Sequence, residues 1–193
     1  MRAIPLSRYL IFFSIAAVGF GADLATKNWI FAQLGGPTPH HANYWWIWKG
    51  VFGFQTSLNE GALFGIGQGQ VFLFALLSCV ALVALLAWLF VAGAARDLLL
   101  TVALGCVSAG ILGNLYDRLG IPGLTWQYAN ALHEVGEPVH AVRDWIVVMI
   151  GPWQWPNFNI ADSLLVCGAV LLAWHAFRSG GCVPADDSER PTQ

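Results

Sequence analysis

Long apolar runs decide what this chain can fold into. Four segments, about residues 9–29, 70–93, 98–117 and 159–177, are each close to the ~20 helical residues that cross ~30 Å of hydrocarbon. Inside lipid every backbone N–H and C=O must be satisfied within the segment, so each run is predicted to be a helix. Composition agrees. Of the 193 residues, 57% are hydrophobic and only 10% charged, against about a quarter charged in ordinary soluble domains. The fold class expected is an all-α membrane protein, a bundle of four transmembrane helices.

Around the bundle the pattern changes. Between residues 50 and 66, "VFGFQTSL" and "ALFGI" have strand character and predict a small extracytoplasmic β-sheet. "YANALHEV" (128–135) predicts a short interfacial helix or loop. Tyr44, Trp45, Trp46, Trp48, Trp153 and Trp155 read as headgroup anchors. Residues 1–178 are expected to form a single membrane-embedded domain, and 179–193 a disordered polar tail carrying Asp186, Asp187 and Glu189. Arg2 and Arg8 precede a weak cleavage site at Gly19-Phe20-Gly21, but the apolar run continues to Leu34, which favours a retained span.

Charge sets the orientation. Arg2, Arg8, Arg96 and Arg178 fall on one side; Lys49, Arg118 and Arg143 fall on the other, with Lys27 near that face. The basic start places both termini in the cytoplasm and the two long loops, about 30–69 and 118–158, outside. A net charge of −2 leaves no basic field for nucleic acid, and no Gly-rich phosphate loop is present. Cys79, Cys106, Cys167 and Cys182 have no metal or redox spacing; the first three lie inside apolar runs and read as packing residues, and Cys182 falls in the polar tail. His133 and His140 bracket Glu134 and Glu137 without metalloprotease spacing and read as a solvated loop face. His175 reads as a helix-end residue, and His40 and His41 have no evident partner.

Threading brings the polar residues together. Asp23 lies roughly 20 Å along the first span, with Lys27 one turn further, and Asn114 lies roughly 24 Å along the third, with Arg118 at its rim. Asn159 and Asp162 begin the fourth span, and Asn59 and Asp144 lie in the outer loops. Antiparallel threading collects all of them at one end, facing the bundle interior or a wet cavity. Each has a plainer explanation. Asn159 and Asp162 have capping-box spacing, Asp23 and Lys27 an i, i+4 ion-pair spacing. Asp117 and Arg118 can be rim charges, and Asn114 a helix-packing residue after Gly110 and Gly113. Capping explains Asp162 but not the arrival of Asp144 at the same rim.

At this point "DLATK" (23–27), "NEGALFGI" (59–66), "GILGNLYDR" (110–118), "VRDWI" (142–146) and "WPNFNIADS" (155–163) can be taken together. In that order they resemble the lipoprotein signal peptidase family, the type II signal peptidases of bacterial inner membranes. The resemblance implies that Asp144 and Asp162 form a catalytic pair. It also assigns binding or support to Asp23, Lys27, Asn59, Gly61, Gly110, Asn114, Arg118, Asn159 and Ala161. It implies a β-cradle over the site and a diacylglyceryl-modified prolipoprotein substrate, cut before the lipid-bearing cysteine. Three features depart from the family pattern: a long 119–142 stretch, Trp145 where Phe is usual with Arg143 before the aspartate, and "YWWIW" in an enlarged first loop.

Two neighbouring carboxylates share one proton, so one can activate water while the other donates to a carbonyl oxygen. That chemistry requires no metal and no cofactor. The expected partners are the lipidated precursor and membrane lipid, with no nucleic acid, and the chain is expected to act as a monomer. The competing reading is a small proton-coupled transporter or channel. The uncharged second span and the crowding of acids at one rim speak against a through-path.

Overall fold

The computed structural model describes residues 3–39, 43–61 and 66–180. The tail from 181 onward, His40 and His41, and residues 62–65 of the "NEGALFGI" stretch lie outside the described residues.

Four helices are long and apolar enough to cross a membrane, as the apolar runs predict. Helix α1, Leu6–Leu34, has 29 residues, or ~44 Å at 1.5 Å each. It overruns the expected span at both ends and stops where Gly35 adopts a φ of 74°. Helix α2, Val71–Leu86, continues through a π-turn, Ala87–Val91, and a 3-10 turn, Ala94–Arg96. Asp97 then caps α3, Leu98–Arg118, by accepting from the Leu100 amide at 3.0 Å. Helix α4 covers Ile160–Gly180.

Helix α3 is the hub. Of its most apolar stretch 56% is buried, against 17% or less in the other three helices. Small residues make this possible. A Cβ on Gly110 would stand 2.5 Å from the Ala161 carbonyl oxygen, and one on Gly113 would collide with the Asp23 carboxylate. Phe72, Leu76 and Val83 of α2, and Val170, Trp174 and Phe177 of α4, are exposed and form the surface a bilayer covers. Phe12, Leu85, Leu89, Ala95 and Leu104 seal the end of the bundle near the α2–α3 turn.

At the other end lies a four-stranded antiparallel sheet in the order β1-β2-β3-β4. Its strands are β1 (Trp45–Trp48), β2 (Phe52–Asn59), β3 (Val142–Ile150) and β4 (Trp153–Phe158). Only β2 was anticipated from the strand-like pieces. The Trp-rich stretches read as simple anchors are β1 and β4, and Asp144 stands within β3, opposite Ser57 of β2, instead of on a loop. The sheet packs onto the C-terminal turns of α1 through Ile30, Trp145 and Ile146, with Phe31, Leu34 and Phe54 against them. The 128–135 segment takes the loop form and not the helix; turns and a bridge between Thr125 and Pro138 hold it over Trp126, Val139 and Ala141.

Candidate active site

The N-terminus of α4 carries the first carboxylate. Asn159 and Asp162 form a reciprocal cap: the Asp162 amide donates to Asn159 Oδ1 at 2.9 Å, and the Asn159 amide donates to Asp162 Oδ2 at 3.1 Å. The capping reading is therefore correct, and it does not compete with a role in the site. The cap fixes the Asp162 side chain, whose Oδ1 accepts from Asn114 Nδ2 at 2.8 Å.

The second carboxylate arrives from the sheet. Asp144 is buried, and its Oδ1 accepts from Asn159 Nδ2 at 2.7 Å while its Oδ2 accepts from Asn59 Nδ2 at 3.3 Å. One side chain, Asn159, thus grips the Asp162 backbone with its oxygen and the Asp144 carboxylate with its nitrogen. The same nitrogen reaches Asn114 Oδ1 at 3.1 Å. Burial, and then the Asp162 charge, push the Asp144 carboxyl up to about 8 against the pull of Lys27, Asn159 and Asn59.

Both aspartates line one cavity of about 840 Å³, with Asn59, Gly61, Asn114 and Arg118 also in its wall. Arg118 Nη2 donates to the Gly61 carbonyl at 3.2 Å and lies over the Phe74 ring, while the Gly61 amide donates to Asn59 Oδ1 at 3.0 Å. Polar side chains of β2 and β4 complete one wall, and Leu165 and Val166 of α4 form an apolar one. Val166 is exposed, so the cavity reaches the lipid-facing surface beside α4.

Asp23, Lys27, Gly110 and Ala161 stand behind the cavity instead of on its wall. Lys27 is fully buried and pairs with Asp23 at 2.7 Å and with Asp117 at 2.9 Å. It also donates to Asn114 Oδ1 at 3.2 Å. Asp23 Oδ1 accepts from the Ala161 amide at 2.9 Å. The i, i+4 ion-pair reading of Asp23 and Lys27 holds, and the pair is one part of a larger cluster.

Other members of that cluster receive no site role from the sequence. Asp117, read as a rim charge, is fully buried between Lys27 and Arg143. It lies three residues after Asn114, so helical spacing alone places the two on one face. Arg143 joins Asp117 to Asn28; its position beside Asp144 in a strand gave no such signal. Trp155, read as an anchor, is on the cavity wall. His133, read as part of a solvated face, bonds Glu60 and Glu137 (2.9 Å) and stacks on Trp126. Burial alone depresses the His133 imidazole, but the Glu137 and Glu60 carboxylates outweigh it and raise its pKa. His140 bonds the Arg118 carbonyl at 3.1 Å, and His175 meets Asp97 at 3.3 Å between helix ends. Among the described residues no cluster of His, Cys, Asp and Glu has metal-holding geometry.

Comparison with known proteins gives a consistent result. The family model of signal peptidase (SPase) II matches residues 15–178. A lipoprotein signal peptidase of Rhodopirellula baltica is 46% identical over 179 residues, covering 91% of this chain and 75% of its own. One of Pseudoalteromonas atlantica is 31% identical over 174 residues, covering 88% and 91%. Among solved structures, a bacterial membrane enzyme aligns over 100% of this chain and 98% of its own, with a TM-score of 0.67 at 24% identity. A second aligns over 92% and 96%, with a TM-score of 0.63 at 25% identity.

Proposed function

Since the chain belongs to the signal peptidase II family and is a protease of peptidase family A8, we propose that it is an intramembrane aspartyl endopeptidase acting on diacylglyceryl-modified prolipoproteins. It removes the signal peptide by cutting just before the lipid-bearing cysteine, with Asp144 and Asp162 as the catalytic pair. The observation that carries this reading is the grip of Asn159 on both aspartates at the wall of a single cavity.

In the proposed reaction the ionised carboxylate takes a proton from a water molecule as its oxygen attacks the scissile carbonyl carbon. The protonated carboxyl donates to the carbonyl oxygen. The tetrahedral intermediate then collapses, the C–N bond breaks, and the departing amine takes the proton. The raised pKa of Asp144 supports one proton staying on the pair near neutral pH. Asn59, Gly61, Asn114 and Arg118 hold the substrate backbone or the pair itself. The diacylglyceryl chains lie along α4, against Leu165 and Val166.

The proposed location of the site is the outer, periplasmic face of the bacterial inner membrane, with both ends of the chain on the cytoplasmic side. Arg8, Arg96 and Arg178 lie toward the opposite end. The apolar seal at the far end argues against a proton path through the bundle. Residues 1–178 act as one domain, and the protein works as a monomer.

The test is cleavage of a lipidated precursor, with the unlipidated form as control, by the purified protein and its Asp144→Asn and Asp162→Asn variants. Each variant is expected to stay folded and to lose activity at least about 10³-fold. Normal cleavage by both variants rejects the mechanism.

A further inference from the structure

The four buried charges Asp23, Lys27, Asp117 and Arg143 form one continuous chain of contacts. Its ends are instructive. At one end Asp23 Oδ1 holds the amide of Ala161, the residue before Asp162. At the other, Asp117 Oδ2 holds the amide of Arg143, the residue before Asp144, at 3.1 Å. Between them run the Asp23–Lys27 and Lys27–Asp117 ion pairs. The backbone just ahead of each aspartate is therefore tied to the same buried lysine.

Arg143 completes this chain. Its Nε donates to Asp117 Oδ1 at 2.9 Å, and its Nη1 donates to Asn28 Oδ1 at 2.6 Å. The guanidinium lies over the Phe31 ring, 5.8 Å from its centroid. One side chain thereby pins β3 to α3 through Asp117 and to α1 through Asn28. With Arg143 the cluster holds two acids and two bases; without it, a buried carboxylate is left in excess beside the site.

We infer that Arg143 is a positioning residue: through Asp117 and Asn28 it fixes the start of β3, and so holds Asp144 at the separation from Asp162 that the shared cavity requires. Its side chain bonds Asp117 and Asn28, not Asp144 or Asp162, and it is not on the wall of the cavity that holds them. Its effect is on geometry, where a displacement of about 1 Å costs about 100-fold in rate. A planar fork suits this role and a lysine does not, because an ammonium cannot hold Asp117 and Asn28 in the same rigid arrangement.

This inference rests on the peptidase reading, and the experiment separates the two. The full chain in detergent is assayed on the lipidated precursor as wild type, Arg143→Met and Arg143→Lys. For each, kcat, KM, the pH profile and the thermal midpoint are recorded. The Met variant is expected to lose about 100-fold in kcat with KM within about threefold of wild type. Its uncompensated Asp117 is expected to move the alkaline limb of the profile upward. The Lys variant is expected to restore the limb and most of the thermal midpoint but not kcat. Wild-type kcat in a folded Met variant overturns the inference, and so does full recovery of kcat by lysine. If the Met variant does not fold, the kcat of the Lys variant decides alone. Failure of the wild type to cut the lipidated precursor rejects the peptidase reading instead.

Discussion

At the scale of single residues the site is built from amides holding acids. Asn159, Asn114 and Asn59 supply neutral donors to Asp144 and Asp162, so neither aspartate is consumed in an ion pair. The Asp144 carboxyl, pushed up to about 8 chiefly by burial, has consequences for stability and for activity. A raised folded pKa means that the native state holds the proton more tightly than the unfolded chain. Stability therefore falls as pH climbs from the ordinary carboxylate range, 3.8, toward about 8. Asp144→Asn is expected to remove much of that fall, measured as a smaller drop in thermal midpoint between about pH 5 and about pH 9. In the wild type, kcat/KM is expected to decline above about pH 8, as the pair loses its last proton.

At the scale of elements, the α3–α4 contact sets the position of the Asn159–Asp162 cap. Gly110 faces the Ala161 carbonyl and the Leu165 side chain, so a side chain there drives the helices apart at the very turn that carries Asp162. Gly110→Val is expected to destabilise the fold by about 1–3 kcal/mol and to reduce kcat more than a remote substitution of equal cost, read from thermal midpoints and single-turnover rates. The helices themselves were legible in the sequence because each is a local property of one apolar run. The sheet was legible only in part. Strand β2 shows its pattern within one segment, but β3 gains its identity from pairing with β2 across two intervening helices, and Asp144 consequently looked like a loop residue. Arg143 stands out in the sequence as a departure from the family pattern, but its role is not legible there, because its partners Asp117 and Asn28 are distant in sequence. Asp23, Lys27, Asn114 and Asp162 were recognisable because charge and amide groups at membrane depth need a local explanation.

At the scale of the whole molecule, a sealed apolar end and an open polar end give the bundle a direction. The open end carries the cavity, and the cavity reaches the lipid-facing surface beside Val166. A bulky group there should hinder arrival of a lipid-bearing substrate while leaving the reacting groups untouched. Val166→Trp is expected to raise KM for the lipidated precursor with little change in kcat, checked by steady-state kinetics in mixed micelles.

The pairing of Asp23 with Lys27 also bears on how the protein is made. A first helix reaches the bilayer before the third has been synthesised, and a lone charge within a span costs up to about 3 kcal/mol on insertion, the full figure applying at its centre. By carrying its own counter-ion one turn away, this helix can settle in lipid as a nearly neutral rod. Arrival of the segment bearing Asp117 then gives the lysine a second acid, so that assembly of the cavity end waits on the order in which the ribosome delivers the helices.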